Sequence, residues 1–450
     1  MRDSRARGGY PFASMAGNPL RAPRGTRDLL PEDLILVHHM ERTAVRLARC
    51  FGYQEIRTPL FEETTLFSRT LGDTSDVVSK EMFTVPRRGE SKKPSFTFRP
   101  EGTASVARAY VSGGLAGKAP LQKWFYLGPM FRYERPQKGR ERQFNQFGVE
   151  AFGSSSPILD AEVIHLAASY FEALGMTDGI EIRINSMGDP ADRAAWGEQL
   201  RQFFQPAITA RCDDCQHRLA KNVFRLLDCK VEACQKANHG APPLADVMTE
   251  DSSLHHGRVR KALLALGRQP IEDLAMVRGL DYYTRTVFEI HYPKLGARSA
   301  LCGGGRYDGL VEAMGGPATP AIGFAIGMTP TELALAELGL PKVEDMQDLY
   351  DDAKPFVYVI AVSEEDRQAA LVLADCLRGS GIGRIELDYR SRSTKGQFKE
   401  AGKLGSRFAC VIGPDERAQG KVVLRNMTTR EEQTLDQAEA LTKLRNFASE

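Results

Sequence analysis

The sequence predicts an α+β fold built on an antiparallel sheet, broken by a helical insertion and followed by a small α/β domain. Three observations carry this. Strand-like runs mixed with helices recur from about residue 53 to 189 and resume at 274–292 and 321–328. Residues 190–268 are instead helical in pattern, polar and cysteine-containing, with no repeat. From Phe356 onward the order is β-α-β-α-β, which implies a mainly parallel sheet.

Composition bounds what the chain can be. Its 450 residues suffice for two or three domains with cores of their own, and 42% hydrophobic with 26% charged residues is ordinary for a soluble protein. The net charge of +2 leaves any nucleic-acid contact to local basic patches. No run approaches the roughly 20 apolar residues that span a bilayer, so a soluble, cytoplasmic protein without membrane contact is expected. Residues 1–23 are rich in Arg, Gly and Pro and lack an apolar core, which predicts a flexible extension and not a secretory signal.

Pro31 and Glu32 open a helix with Val37, Met40, Ala44, Leu47 and Phe51 on one apolar face, stopped by Gly52. "YQEIRTPLFE" follows as a strand whose Pro59 suits an edge or interface. "FTFRPEGTASVARAYV" reads as strand, turn and helix; "WFYLGPMFRYE" and "GIEIRINSMGD" read as strands. After the insertion, strands are expected in "LAMVRGLDYYTRTVFEIHY" and "AIGFAIGM". Beyond them Thr329 can cap a helix that holds Pro330 in its first turn. The charged, strand-free stretch 341–354 reads as a linker between a domain at 24–340 and another at 355–450.

Charge is concentrated in "FRYERPQKGRERQFNQFGVE", residues 131–150. Pro136 and Gly139 break helical pairing there and predict two extended segments joined by a loop. In the second segment Phe144, Gln146, Gly148 and Glu150 fall on one strand face, a polar pocket floor and not a core. This stretch resembles the second signature of class II aminoacyl-tRNA synthetases, and within them the histidyl-tRNA synthetase family. "RGTRDLLPED", "FRPEGT" at 98–103, "MVRGLDYYTRTVFE" at 276–289 and "GGGRYDGL" at 303–310 agree with it, over roughly residues 24–445.

The resemblance implies a class II catalytic domain with a helical insertion and an α/β anticodon-binding domain. It implies activation of L-histidine by ATP with Mg2+, transfer to tRNA(His), and a homodimer formed through the first signature, the helix before Gly52 and the Pro59 strand. By the resemblance, Arg132 and Arg278 are the catalytic cations at the α-phosphate, Arg132 also meeting the amino-acid carboxylate. Arg140 would hold the distal phosphates, Glu134 the adenine amino group, and Phe144 the adenine ring. Glu101, with Gly102 and Thr103, and Gln146 match the site for the α-ammonium; Glu150 and Tyr283, beside Tyr282, match the imidazole site. The chemistry suits these types: both reactants are anions, and guanidinium forks neutralise phosphate oxygens where charge gathers.

Arg392, Lys395, Lys399, Lys403 and Arg407 form a basic segment, several on one helical side, suited to the phosphate backbone of tRNA. Cys212, Cys215, Cys229 and Cys234 read C-x2-C-x13-C-x4-C, a spacing that fits either structural zinc or four unliganded thiols, with His217 and His239 as alternative ligands. The resemblance breaks in two places. Thr329-Pro330 stands where the third signature carries Glu-Arg, and Glu141 stands where an aromatic commonly separates two arginines. The first break favours a rival, a non-catalytic paralogue that senses histidine, such as a regulatory subunit of ATP phosphoribosyltransferase.

Overall fold

The computed structural model describes residues 20–72, 75, 77–86, 95–116, 121–137, 139–277 and 282–449. Most of the N-terminal extension and Arg278 lie outside these. The chain divides into two compact units: residues up to 32 with 40–340, and residues 33–39 with 341–450.

The first unit is organised by an eight-stranded sheet. Gln122–Phe131 and Gln143–Phe152 pair antiparallel, from Gln122 opposite Phe152 to Phe131 opposite Gln143. Ala321–Gly327, Ala300–Arg306, Thr284–His291 and Glu181–Ser186 extend the antiparallel order. Short parallel strands, Gln54–Glu55 and Pro270–Glu272, close the two edges. The sheet is therefore mixed, antiparallel at its centre.

Alternation along Gln143–Phe152 decides which face does what. Phe147 and Val149 are buried, and the Phe147 ring meets Tyr170 of the helix Pro157–Ala173 at 5.3 Å between centroids. That helix is apolar on nearly every side. Its Ser156 cap accepts from the Ile158 amide, Pro157 suits the first turn, and the helix lies across three central strands. Gln146, Gly148 and Glu150 face the other way, toward the helix Thr103–Ser112.

Sequence and structure part company in places. The helix Pro31–Cys50 buries Val37, Met40, Ala44 and Ala48, while Leu47 is only half-buried, because the buried stripe follows the spacing i, i+4, i+8. "YQEIRTPLFE" is not one strand: Gln54–Glu55 and Phe61–Glu63 join different sheets, with Pro59 in the break between them. Thr329 does not cap its helix. Met328–Leu338 starts two residues earlier than that cap would allow, from Gly327, and the Thr329 hydroxyl donates to Glu141 Oε2 at 3.1 Å instead. Pro330 nevertheless sits in the first turn, where no amide donor is required.

In the second unit Ile385–Leu387, Val357–Ala361 and Phe408–Ile412 run parallel, flanked by helices Arg367–Gly379 and Thr394–Lys403. Lys421–Asn426 and Glu432–Asp436 add two antiparallel strands. Stretch 341–354 holds a 3-10 turn, Val343–Met346, and a short helix, Gln347–Ala353.

A buried ion pair ties the first unit together. Arg306 and Asp160 are both fully buried; Nε and Nη2 of the arginine reach the carboxylate at 2.6–2.9 Å. Thr286 and His255 complete the carboxylate's shell at 2.6 and 2.9 Å. Burial alone would raise the Asp160 pKa, but the His255 and Arg306 interactions outweigh it and hold it below the ordinary value. Replacing Arg306 with Met strands a buried carboxylate, and denaturant unfolding should register a loss of about 3–5 kcal/mol. An unshifted midpoint would show that the pair carries no such burden.

Candidate functional site

The site grows from a glycine-made hollow. Gly102 and Gly148 flank the Tyr126 ring, and a Cβ at either position would collide with it. A Cβ at Gly323, opposite Glu150 across the strand pair, would collide with Glu150 Oε2. These positions must be glycine for Tyr126 and Glu150 to fit.

Into that hollow project the residues expected for the amino acid. Glu101 precedes the helix Thr103–Ser112 and accepts from the amides of Thr103 and Ala104 at 2.7 and 2.9 Å. Thr103 Oγ1 donates to Glu150 Oε1 at 2.6 Å, and the Tyr307 hydroxyl donates to Glu150 Oε2. Gln146 is buried, and its Oε1 has no hydrogen-bond partner, an acceptor set to receive a ligand donor. The Tyr282 ring lies 4.7 Å from that of Tyr283 and 5.6 Å from that of Tyr307. Glu101, Gly102, Thr103, Glu150, Tyr282 and Tyr283 thus lie together around Tyr126 and Tyr307, and Gln146 lies on the same strand face as Glu150. Tyr307 and Tyr126 went unassigned in the sequence; Tyr307 stands within "GGGRYDGL", and its place next to Arg306 is the signal that could have found it.

Burial governs the electrostatics here. It pushes Glu150 up to about 8, against the lowering effect of the Thr103 and Tyr307 hydrogen bonds, with Glu101 adding to the rise. Glu101 is raised too, by burial first, with the backbone amides and Arg132 opposing. Tyr126, Tyr282 and Tyr307 are pushed well above the phenol range, again chiefly by burial. Burial therefore favours the uncharged form of every one of these groups, Glu150 most of all.

The residues expected for the nucleotide gather on the loop between Phe131 and Gln143. Arg132 donates through Nε to the Pro100 carbonyl at 2.8 Å, which fixes its direction, and its guanidinium lies 5.4 Å from the Phe144 ring centre. Glu134 sits between Arg132 at 3.8 Å and Arg140 at 3.5 Å. Arg140 is largely exposed, with Glu134 as its ion-pair partner. Arg278 lies outside the described residues.

The two departures from the family pattern meet in space. Glu141 accepts from Thr329 and pairs with Arg27 at 3.1 Å, while Arg27 also reaches Glu332 on the helix begun by Met328. Arg27, in "RGTRD", was not assigned a role; it brings a guanidinium to the corner that lacks the third-signature arginine. The backbone of that same segment is stitched to the loop, the Arg142 amide donating to the Gly25 carbonyl at 2.6 Å.

In the second unit Lys395, Lys399 and Lys403 are exposed along one face of Thr394–Lys403. Arg392 is instead held by Asp388 at 2.8 Å and Glu400 at 3.2 Å. Arg407 lies beyond the helix among Phe356, Phe408 and Phe447, donating to the Phe447 carbonyl at 2.9 Å. The structure thus aligns three of these five cations on one face. The four cysteines of the insertion come together, their sulfurs all within 4.8 Å of one another, whereas His217 turns back to its own helix at the Asp213 carbonyl.

The raised Glu150 gives a pH test. The folded-state value lies above the ordinary 4.5, so the native chain holds this proton more tightly than the unfolded chain. That contribution is complete below about 4.5 and is lost as pH rises to about 8. Glu150→Gln cannot ionise, so its stability relative to the parent should climb across that window, on the order of 3–5 kcal/mol at 1.36 kcal/mol per unit. Denaturant midpoints at the two ends of the window measure it, and a flat difference would contradict a neutral Glu150.

Comparison with known proteins agrees with this geometry. The family profile of histidyl-tRNA synthetase matches residues 25–189 and 207–330, and that of an anticodon binding domain matches 356–447. The histidine–tRNA ligase of Desulforudis audaxviator (strain MP104C) is 46% identical over 426 residues, 95% of this chain and 98% of that protein. That of Syntrophomonas wolfei is 44% identical over 427 residues, with the same coverage of both chains. The crystal structure of apo Staphylococcus aureus histidyl-tRNA synthetase superposes with a TM-score of 0.78 at 36% identity, covering 95% of this chain and 100% of that one. With the glycine-lined pocket, the arginine loop and these near full-length matches together, the chain belongs to the histidyl-tRNA synthetase family.

Proposed function

We propose that this chain is a histidine–tRNA ligase that activates L-histidine with ATP and passes it to the 3′ end of tRNA(His). The observation that carries the proposal is the polar strand face: Gln146 Oε1 without a partner, and Glu150 four residues on, both of its oxygens hydrogen-bonded by Thr103 and Tyr307. Glu101 and Gln146 would receive the α-ammonium, and Glu150 with Tyr283 the ring nitrogens. A pocket whose buried polar groups are matched to both nitrogens rejects side chains that would leave them unpaired.

In the first step a carboxylate oxygen of histidine bonds to the α-phosphorus of ATP as the bridge to the β-phosphate breaks and pyrophosphate departs. Arg132, its Nε donating to the Pro100 carbonyl, would steady the anion that develops, and Arg278 is assigned beside it from its motif. Glu134 and Phe144 would receive adenine, and Arg140 the distal phosphates. Mg2+ would enter with the nucleotide and neutralise its phosphates; oxygen ligands suit it, but the loop carboxylates Glu134 and Glu141 are already paired with arginines. In the second step a terminal adenosine hydroxyl attacks the acyl carbon and AMP leaves.

A homodimer and a cytoplasmic setting complete the proposal. Leu60 and Phe61, next to Pro59, expose apolar side chains that a second copy could cover, and among the described residues no helix is long and apolar enough to cross a membrane. The rival histidine sensor keeps one supporting observation, the missing arginine at Pro330. Histidine-dependent ATP–pyrophosphate exchange decides between them: a protein that binds histidine without exchange is the sensor.

Arg278→Ala should depress that exchange by roughly 100–1,000-fold, about 2.7–4 kcal/mol of barrier, with histidine binding retained. Near-parental exchange would remove Arg278 from the chemistry. Replacing Lys395, Lys399 and Lys403 with Gln should weaken tRNA binding and shallow its salt dependence by about one log unit per lysine, with exchange untouched. Unchanged tRNA affinity in a filter-binding titration would count against that face.

A further inference from the structure

We propose that Cys212, Cys215, Cys229 and Cys234 bind a structural zinc ion, and that this centre holds the insertion against the part of the catalytic unit that carries Tyr283. All four are free thiols, three of them buried, and among the described residues they form the group able to hold a metal. Zinc–thiolate bonds of about 2.3 Å give a tetrahedron with edges of about 3.8 Å. Cys212 Sγ and Cys229 Sγ stand 3.8 Å apart, and every pair lies within 4.8 Å. Four sulfurs from three separate segments therefore already enclose a space of the right size.

The surroundings have the features of a thiolate site. Cys212 and Cys215 flank the start of the helix Asp213–Lys221, whose terminal amides favour negative sulfur. The Cys212 amide points at Cys234 Sγ at 3.4 Å, a donor suited to thiolate and of little use to a neutral thiol. Buried Arg211 spans the cluster's rear, donating to the carbonyls of Cys234 and Ala237 and to Asn238 Oδ1. Asn238 in turn donates to the carbonyls of Leu226 and Leu227, just before Cys229. Four thiolates and one zinc ion carry two net negative charges, and the guanidinium offsets part of that.

The insertion needs such a staple. Between residues 205 and 249 it consists of short helices and 3-10 turns, none longer than 9 residues. Elements of that length are marginal alone. Their cysteines share one apolar cluster with Trp196, Met276, Val277, Tyr283 and Val287, so ordering the insertion also buttresses the chain on both sides of residues 278–281.

Metal analysis of the full chain purified without chelators should find about one zinc per chain, and Cys212→Ser with Cys229→Ser should lose it. Reduced protein stripped at low pH should take up Co2+ with the intense visible bands of a tetrahedral tetrathiolate site. That measurement needs no mutant and so survives a variant that fails to fold. Stripping should also speed amide exchange in peptides covering Tyr282–Val287. Four titratable free thiols in a zinc-free native protein that ignores Co2+, or iron in place of zinc, would overturn the assignment; unchanged exchange on stripping would overturn the buttressing role.

Discussion

The Asp160–Arg306 pair is the constraint on which the catalytic unit depends. Two ions without water are tolerable only with every lone pair and proton engaged, and here helix 157–173, helix 250–265 and two strands each supply a partner. Fixing Arg306 also fixes its neighbour. Tyr307 follows it out of the strand, and its hydroxyl sets the orientation of Glu150. The chain of dependence runs from a structural ion pair through one tyrosine to the carboxyl group assigned to imidazole.

Much of the site could be read from the sequence, for a physical reason. Gln146 and Glu150 lie on a strand whose alternate residues are Phe147 and Val149, and polar groups at that period have no place in a core. Arginines next to a Pro–Gly break likewise resist a helical explanation. What stayed hidden depends on remote partners. Nothing near Asp160 announces Arg306, 146 positions away, and Arg27 meets Glu332 across 305. Glu432–Asp436 is polar and exposed at all but Leu435, so no alternation marks it, whereas Lys421–Asn426 does alternate, with Val422 and Leu424 buried, and only its pairing partner is hidden.

The cationic face of the second unit teaches a related lesson. Five basic residues within sixteen positions look like one patch, yet Arg392 answers two carboxylates and Arg407 three aromatic rings. Charge in a sequence counts donors; only the fold says which are already spoken for. Thr329 shows the same for a hydroxyl, donating to Glu141 where a helix cap was the local expectation.

The clasp formed by Arg27, Glu141 and Glu332 has a consequence for how the protein is made. Its members lie near the start, in the second signature and on the last helix of the catalytic unit, so the nucleotide corner cannot close until residue 332 has left the ribosome. Pairings of such sequence separation are slow to form, because most of the loop entropy is lost before any contact returns it. The parallel strands of the second unit, by contrast, join segments only some thirty to fifty residues apart. A nascent chain therefore carries its pocket half-built, with the glycine-lined strands exposed, through most of synthesis, and early arrest would release an aggregation-prone product and not a weak enzyme.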